Sequence, residues 1–366
     1  ILERVVAVLI IACPHALGLA VPLVTAISTT LAAKNGLLVR QRMALESARN
    51  VAVVLFDKTG TLTKGKQGVT DVVAADTARV LSIAAALEYE SEHPIARAIV
   101  EYVSNQSLPS IPVVDFSALS GRGVRGKIND KFVYAGGPRI IEELGAIVTA
   151  DIQAAADIAS TDGKTVIYII EDAKVIGAIM LTDIIRDESR EAVAILRSMN
   201  KRVAMLTGDN EGVARWVANE LGIKEYFANV LPENKAGTVK QLQQDGSKVA
   251  MVGDGVNDAP ALTQADVGIA IGAGTDVAIE SAGIVLMSSD PRGVAKTVKL
   301  SKYTYRKMLQ NLAWATGYNA IAIPLAAGIA SGFGFVLSPA IGAILMSVST
   351  IVVAVNAQLL RKIRLS

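Results

Sequence analysis

Between Met308 and Leu360 the chain contains no Asp, Glu, Lys or Arg, while about 20 apolar residues suffice to cross the hydrocarbon core of a bilayer. The block is long enough for two passes, and Ser331-Gly332-Phe333-Gly334 near its middle supplies the turn of a helical hairpin. A second uncharged run, Val5 to Ile27, is a further transmembrane candidate, with Cys13, Pro14 and His15 at its centre. It is long for the apolar region of a signal peptide. Basic residues follow this first run (Lys34, Arg40, Arg42), precede the hairpin (Lys299, Lys302, Arg306, Lys307) and end the chain (Arg361, Lys362, Arg364). The excess of basic residues on the inner side of membranes puts all three clusters, and the region 34–307 between them, in the cytoplasm.

That middle region is charged enough to be soluble, so the 51% hydrophobic content of the 366 residues describes a mixed protein of two or three domains. Net charge is +2 and no Lys/Arg run is dense enough to track phosphates, which excludes a nucleic-acid partner. One cysteine excludes a disulfide framework.

Short apolar runs, 51–56, 202–206, 248–252, 268–271 and 284–287, alternate with helical patterns such as 189–199 and 211–221. Continuous apolar strands between helices predict an α/β fold, a doubly wound parallel sheet covered on both faces. Between about 67 and 176 the texture changes to two helices flanking Ser91-Glu92-His93-Pro94, then strand pairs joined by Asn129-Asp130 and Asp172-Ala173. This predicts an antiparallel α+β domain inserted after the first strand.

The strand ends carry the chemistry. The first runs into Asp57-Lys58-Thr59-Gly60-Thr61-Leu62-Thr63; later ones lead into Thr207-Gly208-Asp209 and Gly253-Asp254-Gly255-Val256-Asn257-Asp258, and Lys235 follows Pro232 on a helix. Ligands of open α/β sheets bind at the carboxyl ends of strands. Here those ends collect a carboxylate nucleophile, a hydroxyl and an ammonium for phosphoryl oxygens, and acids for Mg²⁺. One acidic loop alone is usually a solvated turn; a series of such strand ends is not. Gly60 to Lys66 imitates a nucleotide P-loop, but Gln67 stands where a Mg²⁺-binding hydroxyl belongs and no helix pattern opens there.

These motifs resemble the P-type ATPases, whose Asp-Lys-Thr-Gly-Thr-Leu-Thr signature is matched in full at 57–63. The resemblance covers essentially the whole chain. It implies a haloacid-dehalogenase-like phosphorylation domain with Asp57 as nucleophile and Lys58, Thr59, Thr207, Gly208, Asp209, Lys235 and Asn257 around it. It also implies Mg²⁺ at Asp57, Thr59, Asp254 and Asp258. Soluble phosphatases of the same superfold usually carry a second Asp two residues after the nucleophile; here that position is Thr59. His93 alone reads as a residue joining two helices. Ser-Glu-His-Pro, however, is the pattern of heavy-metal (type IB) pumps, which implies an ATP site with Glu88, Glu92, His93, Gly121 and Gly123. Many relatives carry Asn where this chain has Gly137.

Cys13 and His15 lie mid-span, two residues apart. On an intact helix they would diverge, but Pro14 removes a backbone hydrogen bond, so an unwound turn can aim both at one cavity. A thiolate with an imidazole suits copper or another soft ion. Asn311, Tyr318 and Asn319 share one helical face, as do Met346, Ser349 and Thr350; such residues often only pack helices together. The set resembles the Cys-Pro-His subgroup of copper-transporting type IB ATPases, which combines Asn-x(6)-Tyr-Asn-x(4)-Pro with Met-Ser-x-Ser-Thr. The resemblance implies all eight residues as ligands of the transported ion. It further implies an integral protein of the cell membrane whose partners are ATP, copper, lipid and the remainder of the pump. The family's Thr-Gly-Glu actuator motif does not occur, so an incomplete pump, fragment or split protein is expected. Five segments follow: a transmembrane helix at 1–33, a phosphorylation domain at 34–66 and 177–307, a nucleotide-binding domain at 67–176, and two transmembrane helices with a basic tail at 308–366. A zinc or cobalt pump and a non-transporting, membrane-anchored phosphatase-like or regulatory protein are the alternatives.

Overall fold

The structure is a computed structural model that describes residues 2–13, 15–106, 108–119, 121–272 and 275–365. The chain divides into two compact units, one made of residues 1–54, 198–201 and 236–366 and the other of 55–197 and 202–235.

In the first unit the expected N-terminal span is three helices, Leu2–Ala12, His15–Ala20 and Pro22–Lys34. Pro14, to which the first interruption was attributed, lies outside the described residues. The second interruption was not read from the sequence, although Pro22 signals it: proline has no N–H to donate to the preceding turn, while Val21 before it keeps helical angles of φ −93 and ψ −50. The runs Leu2–Lys34 and Pro339–Lys362 are long and apolar enough to cross a membrane, and only 24% and 22% of their most apolar windows are buried. Such exposure is unlike a soluble core helix.

The helix Arg292–Ala327 starts among basic residues and ends at left-handed Gly328. A single turn, Ser331–Phe333, and left-handed Gly334 then lead to the helix Pro339–Gln358, the expected hairpin. Small residues knit these helices together. Ala7 and Ile11 pack on Ala322, Ala326 and Leu337, Ala16 and Ala20 on Ala315 and Val353, and Val24 and Ile27 on Met308, Ala357 and Leu360. Alanine at such contacts lets helix backbones approach closely.

The same unit carries the strands Val249–Gly253, Val267–Ile271 and Ile284–Leu286, paired parallel in that order. They are buried along their whole length, as strands covered on both faces must be. An antiparallel edge strand, Leu37–Val39, pairs with Ile284–Leu286; at three residues it is too short to leave a periodic signal.

The second unit holds the parallel pair Arg202–Leu206 and Glu225–Phe227 and a six-stranded antiparallel sheet. The sheet runs Thr63–Ala74, Lys174–Ile185, Thr165–Glu171, Lys131–Gly136, Gly123–Ile128, Val114–Leu119. Both expected hairpin turns are present, with positive φ at Asn129, Asp130, Asp172 and Ala173, the mirror-image turn that matches strand twist. The two long outer strands pair from Thr63↔Ile185 to Ala74↔Gly177, so the antiparallel sheet extends past 67 and past 176. Helices Thr77–Glu88 and Pro94–Ser104 cover one face with Val80, Ile83, Leu87 and Ile99. The helix Ala150–Thr161 covers the other with Ile152, Ala156 and Ala159.

Candidate active site

Asp57 ends the buried strand Val53–Asp57 and is itself 5% exposed. Lys235, 7% exposed, opens the helix Lys235–Gln243, and its Nζ donates to Asp57 Oδ1 at 2.6 Å. A buried carboxylate costs several kcal/mol unless a partner offsets its desolvation, and Lys235 is such a partner.

Lys58 points elsewhere. Its Nζ lies 2.6 Å from Asp209 Oδ2 and 3.4 Å from Asp183 Oδ2. The same Asp209 oxygen accepts from Thr207 Oγ1 at 3.0 Å, while the Asp209 amide donates back to Thr207 Oγ1. Asp57, Lys58, Thr207, Asp209 and Lys235 are thus linked by direct contacts in two groups, with Gly208 exposed between Thr207 and Asp209 and Thr59 exposed beside Asp57.

Sequence reasoning missed the residues that hold the 58–63 loop. Asp183 accepts from Thr63 Oγ1 at 2.5 Å and from the Lys66 amide at 3.1 Å. Arg186 donates to the carbonyls of Thr63 and Gly60, and Ser189 Oγ to that of Leu62. The available signal was Asp183 itself, a carboxylate inside the apolar run Ile179–Ile185, where a charge requires a partner.

In the other unit, the strand Val249–Gly253 delivers Asp254. Asp258, 2% exposed, receives the Asp254 and Gly255 amides on Oδ2 at 3.2 and 3.3 Å. A Cβ at Gly253 would meet that carboxylate at 2.5 Å, so glycine is required for the turn to close on it. Asn257 is exposed.

A cavity of about 640 Å³ opens over the antiparallel sheet, lined by Glu88, His93, Gly121, Gly123, Gly137 and Lys164 among others. Glu88 is 6% exposed, and burial raises its pKa from 4.5 to about 7 against the lowering effect of a Ser91 hydrogen bond. His93 caps the helix Pro94–Ser104: its Nδ1 accepts from the Ile95 amide at 3.3 Å. Gly121 has φ +68, and a Cβ at Gly123 would overlap the Ala135 carbonyl at 2.0 Å. Backbone geometry thus accounts for both glycines. Glu92 is exposed and outside the cavity lining.

Cys13 Sγ and His15 Nε2 approach to 3.9 Å. Asn311, 1% exposed, donates Nδ2 to the Ala20 carbonyl at 3.3 Å and accepts on Oδ1 from Asn356 Nδ2 at 2.7 Å. Tyr318 Oη and Ser349 Oγ are buried without a hydrogen-bond partner, Thr350 Oγ1 donates to the Met346 carbonyl, and Asn319 is half-buried. Among the described residues none of these six hydrogen-bonds to Cys13 or His15.

An aspartate closing the first strand of a parallel sheet, a lysine on its carboxylate and an acid-bearing turn after a later strand define the haloacid dehalogenase-like hydrolases. Residues 51–266 match that family, and the chain belongs to it. Its sequence is similar to copper-exporting P-type ATPase B of Archaeoglobus fulgidus, 56% identical over 362 residues that cover 98% of this chain and 52% of the relative. It is 45% identical to copper-exporting P-type ATPase B of Enterococcus hirae, over 98% of this chain and 48% of that one. The chain spans about half the length of these relatives. The crystal structure of a zinc-transporting PIB-type ATPase in an E2·Pi state aligns with a TM-score of 0.83 at 33% identity, covering 96% of this chain and 56% of that one. The resemblance to heavy-metal P-type ATPases read from the motifs is borne out.

Proposed function

We propose that this chain carries the phosphorylation, nucleotide and ion sites of an ATP-driven copper exporter, with Asp57 as the phosphorylated residue. The observation that carries the reading is the Lys235–Asp57 pair at 2.6 Å on a buried strand end, inside a fully matched signature. An Asp57 oxygen attacks the γ-phosphorus of ATP, the bond to the ADP oxygen breaks, and an aspartyl phosphate forms. Lys235 and the Thr207 hydroxyl stabilise charge on the transferring oxygens. Lys58, held by Asp183 and Asp209, fixes the loop that starts at the nucleophile. Asp57, Thr59, Asp254 and Asp258 present the hard oxygen donors that Mg²⁺ requires, and would hold the ion that neutralises the phosphoryl group. The carboxylate cradle at Gly253 supports that assignment.

Thr59 stands where the soluble phosphatases carry a general acid, so the acyl phosphate persists long enough to drive a conformational cycle. Glu88, His93, Gly121 and Gly123 take ATP in the cavity they line. Glu92, exposed beside it, contributes only at the rim. Domain limits at 34–66, 67–176 and 177–307, a cytoplasmic position for that region, and residence in the cell membrane beside the remaining helices and actuator of the pump belong to the same reading.

Copper follows from the Cys13–His15 approach, a soft donor set, and from the higher identity to copper exporters than to the zinc pump. In the intact transporter, Cys13→Ala should abolish copper-activated ATP hydrolysis and leave phosphorylation by inorganic phosphate in place. Full copper activation of that variant would remove the ion assignment.

A further inference from the structure

Three side chains on the hairpin helices form a chain of hydrogen bonds whose direction is fixed at both ends. The Lys307 ammonium can only donate, and its Nζ lies 2.7 Å from Asn356 Oδ1. Asn356 must therefore turn Nδ2 to its other neighbour, Asn311 Oδ1, at 2.7 Å. Asn311 in turn directs Nδ2 to the Ala20 carbonyl at 3.3 Å, an atom that can only accept. Neither amide can flip without placing two donors or two acceptors face to face.

The terminus of this relay is specific. Ala20 is the last residue of the helix His15–Ala20, whose final carbonyls have no helical partner, and the break before Pro22 follows at once. Apolar packing closes over the relay on both sides: Ala20, Ala315 and Val353 lie beyond it, and Val24, Met308 and Ala357 before it. With Asn311 and Ala20 almost fully buried, hydrogen bonds there are shielded from water and an unmade one is costly.

We infer that Lys307 and Asn356 are positioning residues for the ion site: through Asn311 they clamp the broken N-terminal helix that carries Cys13 and His15 to both hairpin helices. Asn311 Oδ1, the only atom of that side chain able to ligate a cation, is engaged by Asn356. The second lone pair of Oδ1 stays open, so Asn311 can fix the helix break and still ligate an ion. The inference rests on the reading of the chain as a soft-metal pump.

The test is copper-activated ATP hydrolysis by the intact transporter, assayed with Cu(I) and with Cu(II) and resolved for the activating ion into half-activating concentration and maximal rate, with phosphorylation by inorganic phosphate as control. Asn356→Asp is nearly isosteric, still accepts from Lys307 and can no longer donate to Asn311. It should raise the half-activating copper concentration about tenfold, an amide hydrogen bond being worth about 1 kcal/mol or somewhat more where buried, with phosphorylation by phosphate within about twofold of wild type. Lys307→Met should do the same, and Lys307→Arg, which still only donates, should recover most of the loss. Wild-type half-activation in Asn356→Asp, or equal defects in Lys307→Arg and Lys307→Met, would overturn the relay. If Asn356→Asp also loses phosphorylation by phosphate, its effect is on the whole fold and the inference is likewise refuted. A wild-type protein unresponsive to both Cu(I) and Cu(II) would instead refute the copper reading.

Discussion

The two lysines of the site have separate acids: Lys235 takes Asp57, while Lys58 takes Asp209 and Asp183. The signature made Asp57 legible as the proposed nucleophile, because it stands in a fully matched motif. Asp183 was not legible as functional, since its partners Thr63 and Lys66 are more than a hundred residues earlier in sequence. Asp183→Asn should leave the fold intact but cost about 1–3 kcal/mol by thermal or urea unfolding, the range for impairing a buried, charged hydrogen-bond partner. Glu88 gives a sign-definite pH effect. Its folded pKa, about 7, lies above its ordinary 4.5, so the folded state favours the protonated form. The stability contribution is complete below about pH 4.5 and is lost as pH rises through about 7, a change of about 3 kcal/mol. Glu88→Gln, which cannot ionise, should therefore unfold at a temperature closer to wild type at pH 5 and clearly above it at pH 8.5. An unchanged difference between the two pH values would contradict the neutral buried acid.

At the scale of elements, most of the architecture was written in local pattern. The apolar runs became buried parallel strands, and Asn129-Asp130 and Asp172-Ala173 became hairpin turns, because turn geometry depends on residues that tolerate positive φ. The short edge strand 37–39 and the extent of the strands 63–74 and 174–185 were not legible, since pairing with distant partners sets them rather than propensity. The glycines of the cavity proposed for ATP separate along the same line. Gly121 needs only a left-handed backbone, whereas Gly123 needs the absence of a side chain against Ala135. Gly121→Ala should cost about 1–2 kcal/mol, and Gly123→Ala about 3 kcal/mol or more, with strand pairing disturbed; equal costs by urea denaturation would contradict the close approach. His93→Ala should lose about 1 kcal/mol from the cap on its helix, separately from any loss of ATP affinity.

For the whole molecule, the proposed phosphoryl-transfer chemistry is legible in the motifs, because each is a strand end followed by reactive side chains. The proposed ion site was less legible. Cys13 and His15 do approach each other, yet Asn311 proved to be engaged by Asn356 and by a helix break marked only by Pro22. The central claim is that Asp57 accepts the γ-phosphoryl group of ATP, and incubation with γ-labelled ATP, Mg²⁺ and the activating copper ion followed by acid quenching tests it most directly. The account predicts label that is stable in acid, released by alkali or hydroxylamine, and absent from Asp57→Asn; label of wild-type amount retained in Asp57→Asn would contradict it.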